Sequence, residues 1–455
     1  MDIALAARLL LLDHTTRRRE RWAHERIVDY QAARLQQLRR YALDHSPFYQ
    51  AFHRRTEGKP LSGLPVLTKS TLMEAYDELV TDRAIRLSDV RAFVDGNPAG
   101  KLFRGRYQIC ATSGTSGQPG IFLYDRNEWP WVLASYARAN RWTGLPAGLL
   151  HRLRLAVVGS SRHWHQSSAV ADSLNSSWLP SLRLAATDPV ADICRQLTKW
   201  KPQLLITYAA ISGVLAEEQL AGRLDIAPKA VMCVAETLTR SVRAKVRLAW
   251  DAEPFENYAS TEAACMAAEC HEHAGLHIFD DFLVIEVVDE DNRPVPPGRM
   301  GAKVLVSVLF SRTMPLIRYE IDDAAMLADG ACTCGLPFRR LTRLGGRIAE
   351  TLRIARPDGT FAILHPVLFE QAVDLTGVRR WQVLHRRDGL HVRLVAPVSE
   401  ASLRQLEANM RELVKAQDIV HLPVRLEIVD DIERTSSGKM ILVHDTTSKP
   451  TPEDG

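Results

Sequence analysis

The spacing of hydrophobic and polar positions changes along the 455-residue chain and predicts three regions of different structure. Residues 1–90 carry apolar side chains at helical intervals among many charges, which predicts a group of helices. From about residue 105, short apolar runs that end in small or polar residues alternate with helical stretches. From about residue 276, apolar and polar residues alternate between turn sequences such as DEDNRP and PPGRMG, which predicts antiparallel hairpins.

The middle region is predicted to form a parallel sheet. Its apolar runs are RLAVVGSS (154–161), PQLLITYAA (202–210) and KAVMCVAET (229–237), and each is followed by a helical stretch. Buried strands that alternate with crossover helices are typical of parallel sheets. Because ligands bind at the carboxyl ends of the strands in such sheets, we expect functional residues to follow these runs.

The C-terminal part is predicted to form a second, smaller domain. It contains a hairpin pattern around Asp388 and Gly389, a helical stretch EASLRQLEANMRELVKAQ and a strand pattern PVRLEIVDDI. We therefore expect a large N-terminal domain over residues 1–346 and a small C-terminal domain over residues 347–455. The predicted fold class is α/β, or α+β overall, with mixed sheets and helices in the large domain and a mobile α+β domain at the C-terminus.

Composition and charge argue against several classes of protein. Apolar residues make up 46% and charged residues 25% of the chain, as in ordinary globular proteins. The net charge, 58 − 54 = +4, does not predict nucleic-acid binding, and the sequence has no basic stripe with interleaved aromatics. No apolar run in the sequence is long enough to span a bilayer, so we expect no membrane partner. Arginines follow the N-terminal apolar run, whereas in a secretory signal they precede it, so no secretory signal is predicted. Without such a signal, the seven cysteines are expected to be reduced, and the expected location is the cytoplasm.

The stretch CATSGTSGQPG, residues 110–120, has the composition of a phosphate-binding loop. Backbone N–H groups and hydroxyls in such a loop can converge on phosphate oxygens. It is not a Walker A loop, because Gln118 and Pro119 stand where that pattern needs Lys and Ser or Thr. Considered alone, the stretch is better explained as a polar turn without a ligand.

A series of further motifs changes that interpretation. After residues 110–120 the chain contains, in order, CVAET (233–237), ENYASTEAA (256–264), MPLIRYEIDD (314–323), LGGRIAETL (344–352) and ERTSSGKM (433–440). This ordered series resembles the adenylate-forming superfamily of acyl-CoA synthetases, and more narrowly the phenylacetate–CoA ligase family. Each motif is weak by itself, but their order is specific, and the resemblance includes the N-terminal segment LPVLTKSTL.

The resemblance implies a reaction in two steps. ATP and a carboxylic acid, expected here to be an aryl or other apolar acid, first give an acyl-adenylate and pyrophosphate. The acyl group then passes to CoA, the expected co-substrate. In some members the acceptor is an amine or a carrier protein, which gives a second hypothesis for this chain. A third hypothesis is a non-catalytic, zinc-containing nucleotide-binding protein descended from such ligases.

The resemblance also assigns nucleotide-binding residues. The loop that would hold the triphosphate comprises Ser113, Gly114, Thr115, Ser116 and Gly117. Gln118 follows this loop, where many relatives carry lysine. The residues expected around adenine, ribose and phosphate are Glu236, Tyr258, Ala259, Ser260, Thr261 and Asp323. Tyr258 is expected to stack on the base and Asp323 to accept the ribose hydroxyls, while Asp322 replaces a glycine of the family.

Three residues are expected to act on the reaction itself. Glu262 is expected to bind Mg²⁺, and Lys439 to stabilise the charge that develops at the α-phosphate. Arg347 is expected to reach the ribose or the phosphates. Lys439 belongs to the C-terminal domain, which in the family closes for adenylation and rotates for acyl transfer. At the hinge, Ala349 replaces the first Asp of the family motif and Glu350 follows it.

Cysteines and histidines form a candidate zinc site. The expected ligands, three thiolates and one imidazole, are Cys270, His277, Cys332 and Cys334. His271 and His273 are competing ligands, and a set of buried or free cysteines is the alternative. Some relatives in the phenylacetate–CoA ligase family carry such a zinc. Four protein ligands leave no open position, so the role would be structural.

The acid is expected to bind near the carboxyl ends of the same strands. Trp164 and His165 follow the first apolar run, and Tyr208 lies at the end of the second. We expect these residues to line the acid pocket, with ordinary loop packing as the alternative. His165 would also be placed to gate the carboxylate. Assembly as a homodimer is a further expectation that the sequence does not test.

Overall fold

The computed structural model describes most of the chain. The described residues are 3–56, 58–96, 100–112, 119–145, 151–160, 163–176, 178–347, 352–358, 360–364, 366–374, 376, 378, 380–419, 422–432 and 440–447. The expectations for residues 113–118, 348–350 and 433–439 therefore concern parts of the chain outside this description. For Arg347 the backbone alone is described.

The N-terminal region consists mainly of helices, as the spacing of its apolar residues predicts. They are α1 Ile3–Arg19, α2 His24–His45, α3 Pro47–Phe52, α4 Lys69–Glu74, α5 Tyr76–Leu79 and α6 Leu87–Asp95, with a 3₁₀ turn at Leu61–Gly63. Pro47 has no N–H with which to continue α2, and the residue before it, Ser46, is extended. Thr68 caps α4 by accepting a hydrogen bond from the N–H of Thr71 at 3.2 Å. The cap sets Lys69 at the first position of this helix.

A parallel sheet occupies the middle of the chain, as its apolar runs predict. A hairpin of β1 Gln108–Ala111 and β2 Ile121–Tyr124 precedes it and frames the glycine-rich stretch. The parallel strands are β3 Leu155–Gly159, β4 Ser181–Ala185, β5 Leu204–Tyr208, β6 Ala230–Val234 and β7 Phe255–Ser260, in the spatial order β4-β3-β5-β6-β7. The helices of this region are α7 Trp129–Trp142, α8 Gln166–Leu174, α9 Val190–Trp200, α10 Ala209–Leu220 and α11 Arg240–Trp250.

The register of these strands aligns their carboxyl ends. Val158 pairs with Thr207, so the next residues, Gly159 and Tyr208, stand side by side at the ends of β3 and β5. Tyr208 in turn pairs with Val234, the last residue of β6. The residues that follow each strand therefore meet at one edge of the sheet.

Antiparallel strands follow, as the alternating pattern after residue 276 predicts, and several of them extend the parallel sheet. The next strands are β8 Ala264–Glu269, β9 Leu276–Ile278, β10 Leu283–Val288, β11 Met300–Gly301, β12 Lys303–Val308, β13 Tyr319–Ile321, β14 Asp323–Leu327 and β15 Arg340–Arg347. Five of them continue the sheet beyond β7 in the order β8-β9-β15-β14-β11, which gives ten strands within the described residues. Strands β10, β12 and β13 form a separate antiparallel sheet.

The C-terminal part has its own sheet and its own apolar core. Its elements are β16 Leu352–Ala355, β17 Phe361–Leu364, α12 Pro366–Asp374, β18 Trp381–Arg386, β19 Gly389–Val395, α13 Glu400–Ala416, β20 Val424–Val429 and β21 Val443–Asp445. The hairpin predicted around Gly389 is present, with Arg386 paired to Gly389. Buried residues from Leu352 to Val443 pack as one cluster, separate from those of the large sheet. The exact boundary after residue 346 stays a prediction.

A buried ion network fixes α7 against the antiparallel part of the fold. Both terminal guanidinium nitrogens of Arg138, Nη1 and Nη2, donate to the carboxylate of Asp281, at 2.7 and 2.9 Å, and neither side chain is exposed. Arg19 from α1 approaches the same carboxylate at 3.3 Å. Burial opposes the charge on Asp281, but the two arginines hold its pKa below its usual value. The network therefore holds α7 in place, and this helix forms one wall of the cavity described next.

The architecture confirms the predicted fold class, a mixed α/β fold with several sheets. None of the helices in the described ranges is both long enough and apolar enough to cross a bilayer.

Candidate active site

A cavity of about 340 Å³ lies at the edge where the parallel strands end. Its walls come from the ends of β3, β5, β6 and β7, from α7 and α8, and from the start of β14. Predicted site residues that line it are His165, Tyr208, Ala259, Ser260, Thr261, Glu262 and Asp323. The alignment of the strand ends thus brings together residues from motifs that are far apart in the sequence.

Tyr258 and Asp323 form one side of the site. The Tyr258 hydroxyl donates to Asp323 Oδ2 at 2.8 Å across 65 positions of sequence. A bulge between Tyr258 and Ala259 interrupts the pairing of β7 with β8 at this point. Asp323 is also paired with the backbone of Arg347 on the neighbouring strand. Asp322 lies beside it and lines the cavity as well.

The turn after β7 presents Thr261 and Glu262 to the cavity. The hydroxyl of Tyr124 donates to the carbonyl oxygen of Thr261 at 2.7 Å. The amide of Gln166 donates to the same oxygen at 3.1 Å and accepts a hydrogen bond from the Tyr136 hydroxyl at 2.8 Å. Side chains from β2, α7 and α8 therefore fix this turn, which preorganises its two functional side chains.

Glu262 has a tyrosine neighbour. The Tyr319 hydroxyl lies 3.4 Å from Glu262 Oε1. Burial, and then the Glu262 carboxylate, raise the pKa of Tyr319 above its usual value, so that its hydroxyl stays protonated and donates. A carboxylate at the cavity wall offers the hard oxygen ligand that Mg²⁺ prefers.

Glu236 follows β6 and accepts two backbone hydrogen bonds. Its Oε2 accepts from the N–H of Ala210 at the start of α10, and its Oε1 accepts from the N–H of Met440, both at 2.8 Å. A helix N-terminus favours a negative charge, so the Ala210 contact suits a carboxylate. The Met440 contact brings the C-terminal segment that follows Lys439 to the same strand edge.

One end of the cavity is mainly apolar. Its walls are formed by Leu155, Val157, Val170, Ala171, Leu174 and Ile206. Tyr208 also lies here, and its ring packs near Gly159, since a Cβ built on Gly159 would be 3.8 Å from the ring. Burial and the nearby Glu236 raise the pKa of Tyr208 to about 12, which keeps its hydroxyl neutral. On α7, Tyr136 and Asn140 stand one turn apart and line the same space.

Trp164 is placed differently from the expectation. It lines a second cavity, behind α8, whereas its neighbour His165 faces the site. His165 is the residue before α8, and successive side chains diverge where a turn enters a helix. The contribution of Trp164 comes from its backbone, because its carbonyl oxygen accepts from the N–H of Ala111 at 2.9 Å.

The base of the glycine-rich loop is closed by two hydrogen bonds. The N–H of Thr112 donates to the carbonyl oxygen of Gly120 at 2.9 Å, and the N–H of Gly120 donates to the Thr112 hydroxyl at 2.8 Å. Lys69 packs here, since a Cβ built on Gly120 would lie 3.3 Å from Lys69 Cε. Lys69 lines the cavity too. Residues Ser113 to Gln118, Lys439 and the Arg347 side chain lie outside the described part of the chain.

Sequence reasoning missed Lys69, Tyr136, Asn140 and Gln166. Lys69 belongs to the N-terminal segment LPVLTKSTL, which entered the resemblance without a role. The other three lie on α7 and α8 and belong to none of the motifs on which the resemblance rests. Nothing in their local sequence indicates which face of α7 or α8 turns toward the sheet edge.

The cysteine and histidine cluster assembles as predicted. The ligand atoms of Cys270, His277, Cys332 and Cys334 all lie within 4.8 Å of one another. Cys334 Sγ is 3.3 Å from His277 Nε2, and Nδ1–H of the same ring donates to the Phe338 carbonyl oxygen at 3.3 Å. This second contact orients the ring as in protein metal sites. Burial lowers the pKa of His277 to about 4, so the ring is neutral near pH 7, as a ligand must be.

The two competing histidines have other partners. His271 is mostly exposed and lies 3.1 Å from Glu272. His273 contacts the buried carboxylate of Glu269 at 3.1 Å. His277 is therefore the imidazole of the cluster.

Comparisons with known proteins agree with the resemblance. No protein-family model matches the chain. The chain is 25% identical over 419 residues to the phenylacetate–coenzyme A ligase of Thermus thermophilus, with 87% of each chain covered. It is a homologue of phenylacetate–coenzyme A ligase.

Solved structures show that the fold is that of adenylate-forming CoA ligases. A 2-hydroxyisobutyryl-CoA ligase in its postadenylation state has a TM-score of 0.74 at 20% identity, covering 95% of this chain and 92% of that one. The anthranilate–CoA ligase AuaEII, in complex with anthranoyl-AMP, has a TM-score of 0.54 at 15% identity. That match covers 73% of this chain and 64% of AuaEII.

Proposed function

We propose that the protein is an AMP-forming acid–CoA ligase. It joins a carboxylic acid to AMP with release of pyrophosphate and then transfers the acyl group to the thiol of CoA. The observation that carries the proposal is that residues from three separate motifs converge at one cavity in this fold. Glu262 and Asp323 line the cavity, Tyr258 donates to Asp323, and Glu236 follows the lining residue Ala235 and binds Met440. A protein that only bound nucleotide would not need the apolar end of the same cavity.

In the first step, a carboxylate oxygen of the acid attacks the α-phosphorus of ATP and pyrophosphate leaves. Asp323, held by Tyr258, is the ribose acceptor, and Tyr258 also covers the base. Glu262 would hold Mg²⁺, which when bound neutralises phosphate charge. Thr261 lies beside the phosphates, and its preorganised turn costs no rearrangement during reaction.

Lys439 supplies the cation at the α-phosphate in this proposal. The N–H of the next residue, Met440, reaches Glu236 at the strand edge, and this contact supports the assignment. Arg347 is the proposed partner of the ribose or the phosphates, and its backbone pairing with Asp323 supports that role. Lys69, which packs on the base of the glycine-rich loop, adds a further positive charge to the part of the cavity next to that loop.

In the second step, the CoA thiol attacks the acyl carbon, and AMP leaves with one oxygen of the original carboxylate. CoA is the acceptor that the ligase homologues favour. The altered hinge residue Ala349 is the reason to test amines and carrier proteins as alternative acceptors with the same acid. A homodimer remains a proposal as well.

The acid in this proposal has an apolar body that carries a hydrogen-bonding substituent. The apolar end of the cavity is walled by aliphatic side chains, but the half-buried Asn140 amide also lines it. The Asn140 side chain makes no hydrogen bond to any of the residues that the structure describes. A hydroxyl, amino or oxo group on the acid would form a hydrogen bond with this amide. An acid with an unsubstituted hydrocarbon body would leave the amide without a partner.

The Cys270 cluster is proposed to bind a structural zinc ion. Its donors are three sulfurs and one imidazole nitrogen, a combination that suits Zn²⁺, and all four positions are supplied by the protein. The ligands come from β9, the segment after β8 and the loop between β14 and β15. The ion would therefore tie together neighbouring strands of the large sheet.

Replacing Lys439 by Ala should lower acid-dependent ATP–pyrophosphate exchange by about 100-fold or more, because the developing charge loses its cation. The measurement is exchange of labelled pyrophosphate into ATP across a panel of aryl and alkyl acids. Lys415→Ala, an exposed lysine in the last turn of α13, is the matched control and should exchange normally. Exchange by K439A near the wild-type rate would show that another group acts at the α-phosphate.

Replacing Asn140 by Leu should change the choice of acid. The wild-type protein should favour hydroxy- or amino-substituted aryl acids over the unsubstituted acid by about tenfold or more in kcat/KM of exchange. Asn140→Leu should abolish this preference and leave the unsubstituted acid used as well or better. If wild type prefers the unsubstituted acid, or if N140L keeps the preference for substituted acids, Asn140 does not select the substituent.

Purified wild-type protein should contain about one zinc ion per chain. Cys332→Ser should lose the metal and unfold at a lower temperature, because a structural site contributes to folding free energy. Metal analysis and thermal unfolding measure both effects. Cys194→Ser removes a buried cysteine outside the cluster and should retain the metal. Wild-type protein that is free of zinc after growth with zinc would rule out the site.

A further inference from the structure

The carboxylate of Glu236 joins two parts of the fold that are far apart in sequence. One oxygen accepts from Ala210 at the start of α10, and the other accepts from Met440, 204 residues away along the chain. Both donor–acceptor distances are 2.8 Å, which is the length of a charge-assisted hydrogen bond. The edge of the parallel sheet is thereby tied to the C-terminal segment.

On the sheet side, the position of Glu236 is set by the backbone at Ala235 and by a hydrogen bond from α10. Ala235, between the end of β6 and Glu236, has φ of 63°, in the left-handed region that L residues rarely adopt. Such conformations persist where the surrounding structure enforces them, and they cluster at functional sites. The Ala210 N–H at the beginning of α10 then holds one carboxylate oxygen in place.

On the C-terminal side, Met440 is followed at once by residues of the C-terminal sheet. The Gln382 amide donates to the carbonyl oxygen of Ile441 at 2.9 Å, and the N–H of Val383 donates to that of Leu442 at 2.8 Å. Both donors belong to β18, which pairs with β21. The position of Met440 therefore reports the position of the whole C-terminal sheet relative to the cavity.

We propose that Glu236 is a positioning residue, a latch that holds the C-terminal sheet in the arrangement used for adenylation. The inference rests on the proposed function. Consecutive Cα atoms are about 3.8 Å apart, so fixing Met440 restricts where the backbone of Lys439 can lie. Rotation of the C-terminal part for acyl transfer would break the Glu236–Met440 bond, and the transfer step therefore does not use it.

The latch and a contact between Glu236 and the adenine base predict different kinetics. Loss of a base contact weakens ATP binding and raises the KM for ATP. Loss of the latch leaves ATP binding nearly unchanged and lowers the rate of adenylation, because fewer molecules hold Lys439 at the α-phosphate. Transfer from a supplied acyl-adenylate to CoA stays unchanged or becomes faster.

The test compares Glu236→Ala and Glu236→Gln with wild type and with Glu217→Ala, a glutamate that pairs with Lys245 away from the cavity. Exchange of the Met440 amide hydrogen is followed in the protein without substrates, and the two half-reactions are measured separately. In E236A we expect Met440 to exchange about tenfold faster or more, while the strand β21 keeps its protection. Adenylation should slow by about tenfold or more at an ATP KM within about twofold of wild type. E236Q keeps one side-chain acceptor oxygen, so its rate of Met440 exchange and its rate of adenylation should both lie between those of E236A and wild type.

Hydrogen exchange separates failure of the latch from failure of the proposed function. If Met440 exchanges equally fast in wild type and E236A, or if E236A raises the ATP KM without slowing adenylation, the latch is overturned. If no acid supports pyrophosphate exchange in wild type but Met440 still depends on Glu236, the proposed function fails and the contact between the two sheets stands.

Discussion

The register of the parallel strands is the constraint on which the site depends. Gly159, Tyr208 and Val234 stand in one row at the ends of β3, β5 and β6, and the functional segments begin just beyond that row. A slip of one residue in any of these strands would turn its side chains to the opposite face of the sheet. The buried network of Arg138 and Asp281 then holds α7 as the wall that faces this edge.

Negative and positive groups reach the site from different parts of the chain. The carboxylates of Glu236, Glu262 and Asp323 lie in or next to strands of the large sheet, and each has a hydrogen-bond partner in the large domain. The cations assigned to the phosphates come from the N-terminal helix α4 and, in the proposal, from Arg347 and Lys439. The glycine-rich loop therefore does not need a lysine of its own at Gln118, provided that the C-terminal segment can be brought to the sheet. The Glu236–Met440 bond is the described contact that does so.

The fold was largely predictable because its signals are local. The runs that became β3, β5 and β6 are apolar on both faces, as strands covered by helices must be. The assignment of Tyr258 and Asp323 to one nucleotide site followed from the order of the family motifs and not from the chain's own periodicity. The alternative histidines, His271 and His273, could not be separated from His277 by spacing, since only the turn after β8 decides which ring faces the thiols.

The other site residues depend on packing that the sequence does not encode locally. Asn140 and Tyr136 lie on a helix whose orientation is set by the distant Asp281. Lys69 meets the glycine-rich loop across about fifty residues of chain, and no motif links the two. Trp164 was grouped with His165 because they are adjacent, but adjacent residues at a helix entry point in different directions. Contacts of this kind become visible only when the whole fold is assembled.

The fate of a carboxylate oxygen of the acid tests most directly the claim that the reaction passes through an acyl-adenylate. If an acid labelled with ¹⁸O in its carboxylate is converted to its CoA thioester, the adenylate mechanism predicts that AMP carries one ¹⁸O atom for each turnover. Mass spectrometry of the nucleotide and phosphate products measures this transfer. Unlabelled AMP, or ¹⁸O recovered in inorganic phosphate with ADP as the product, would contradict the mechanism.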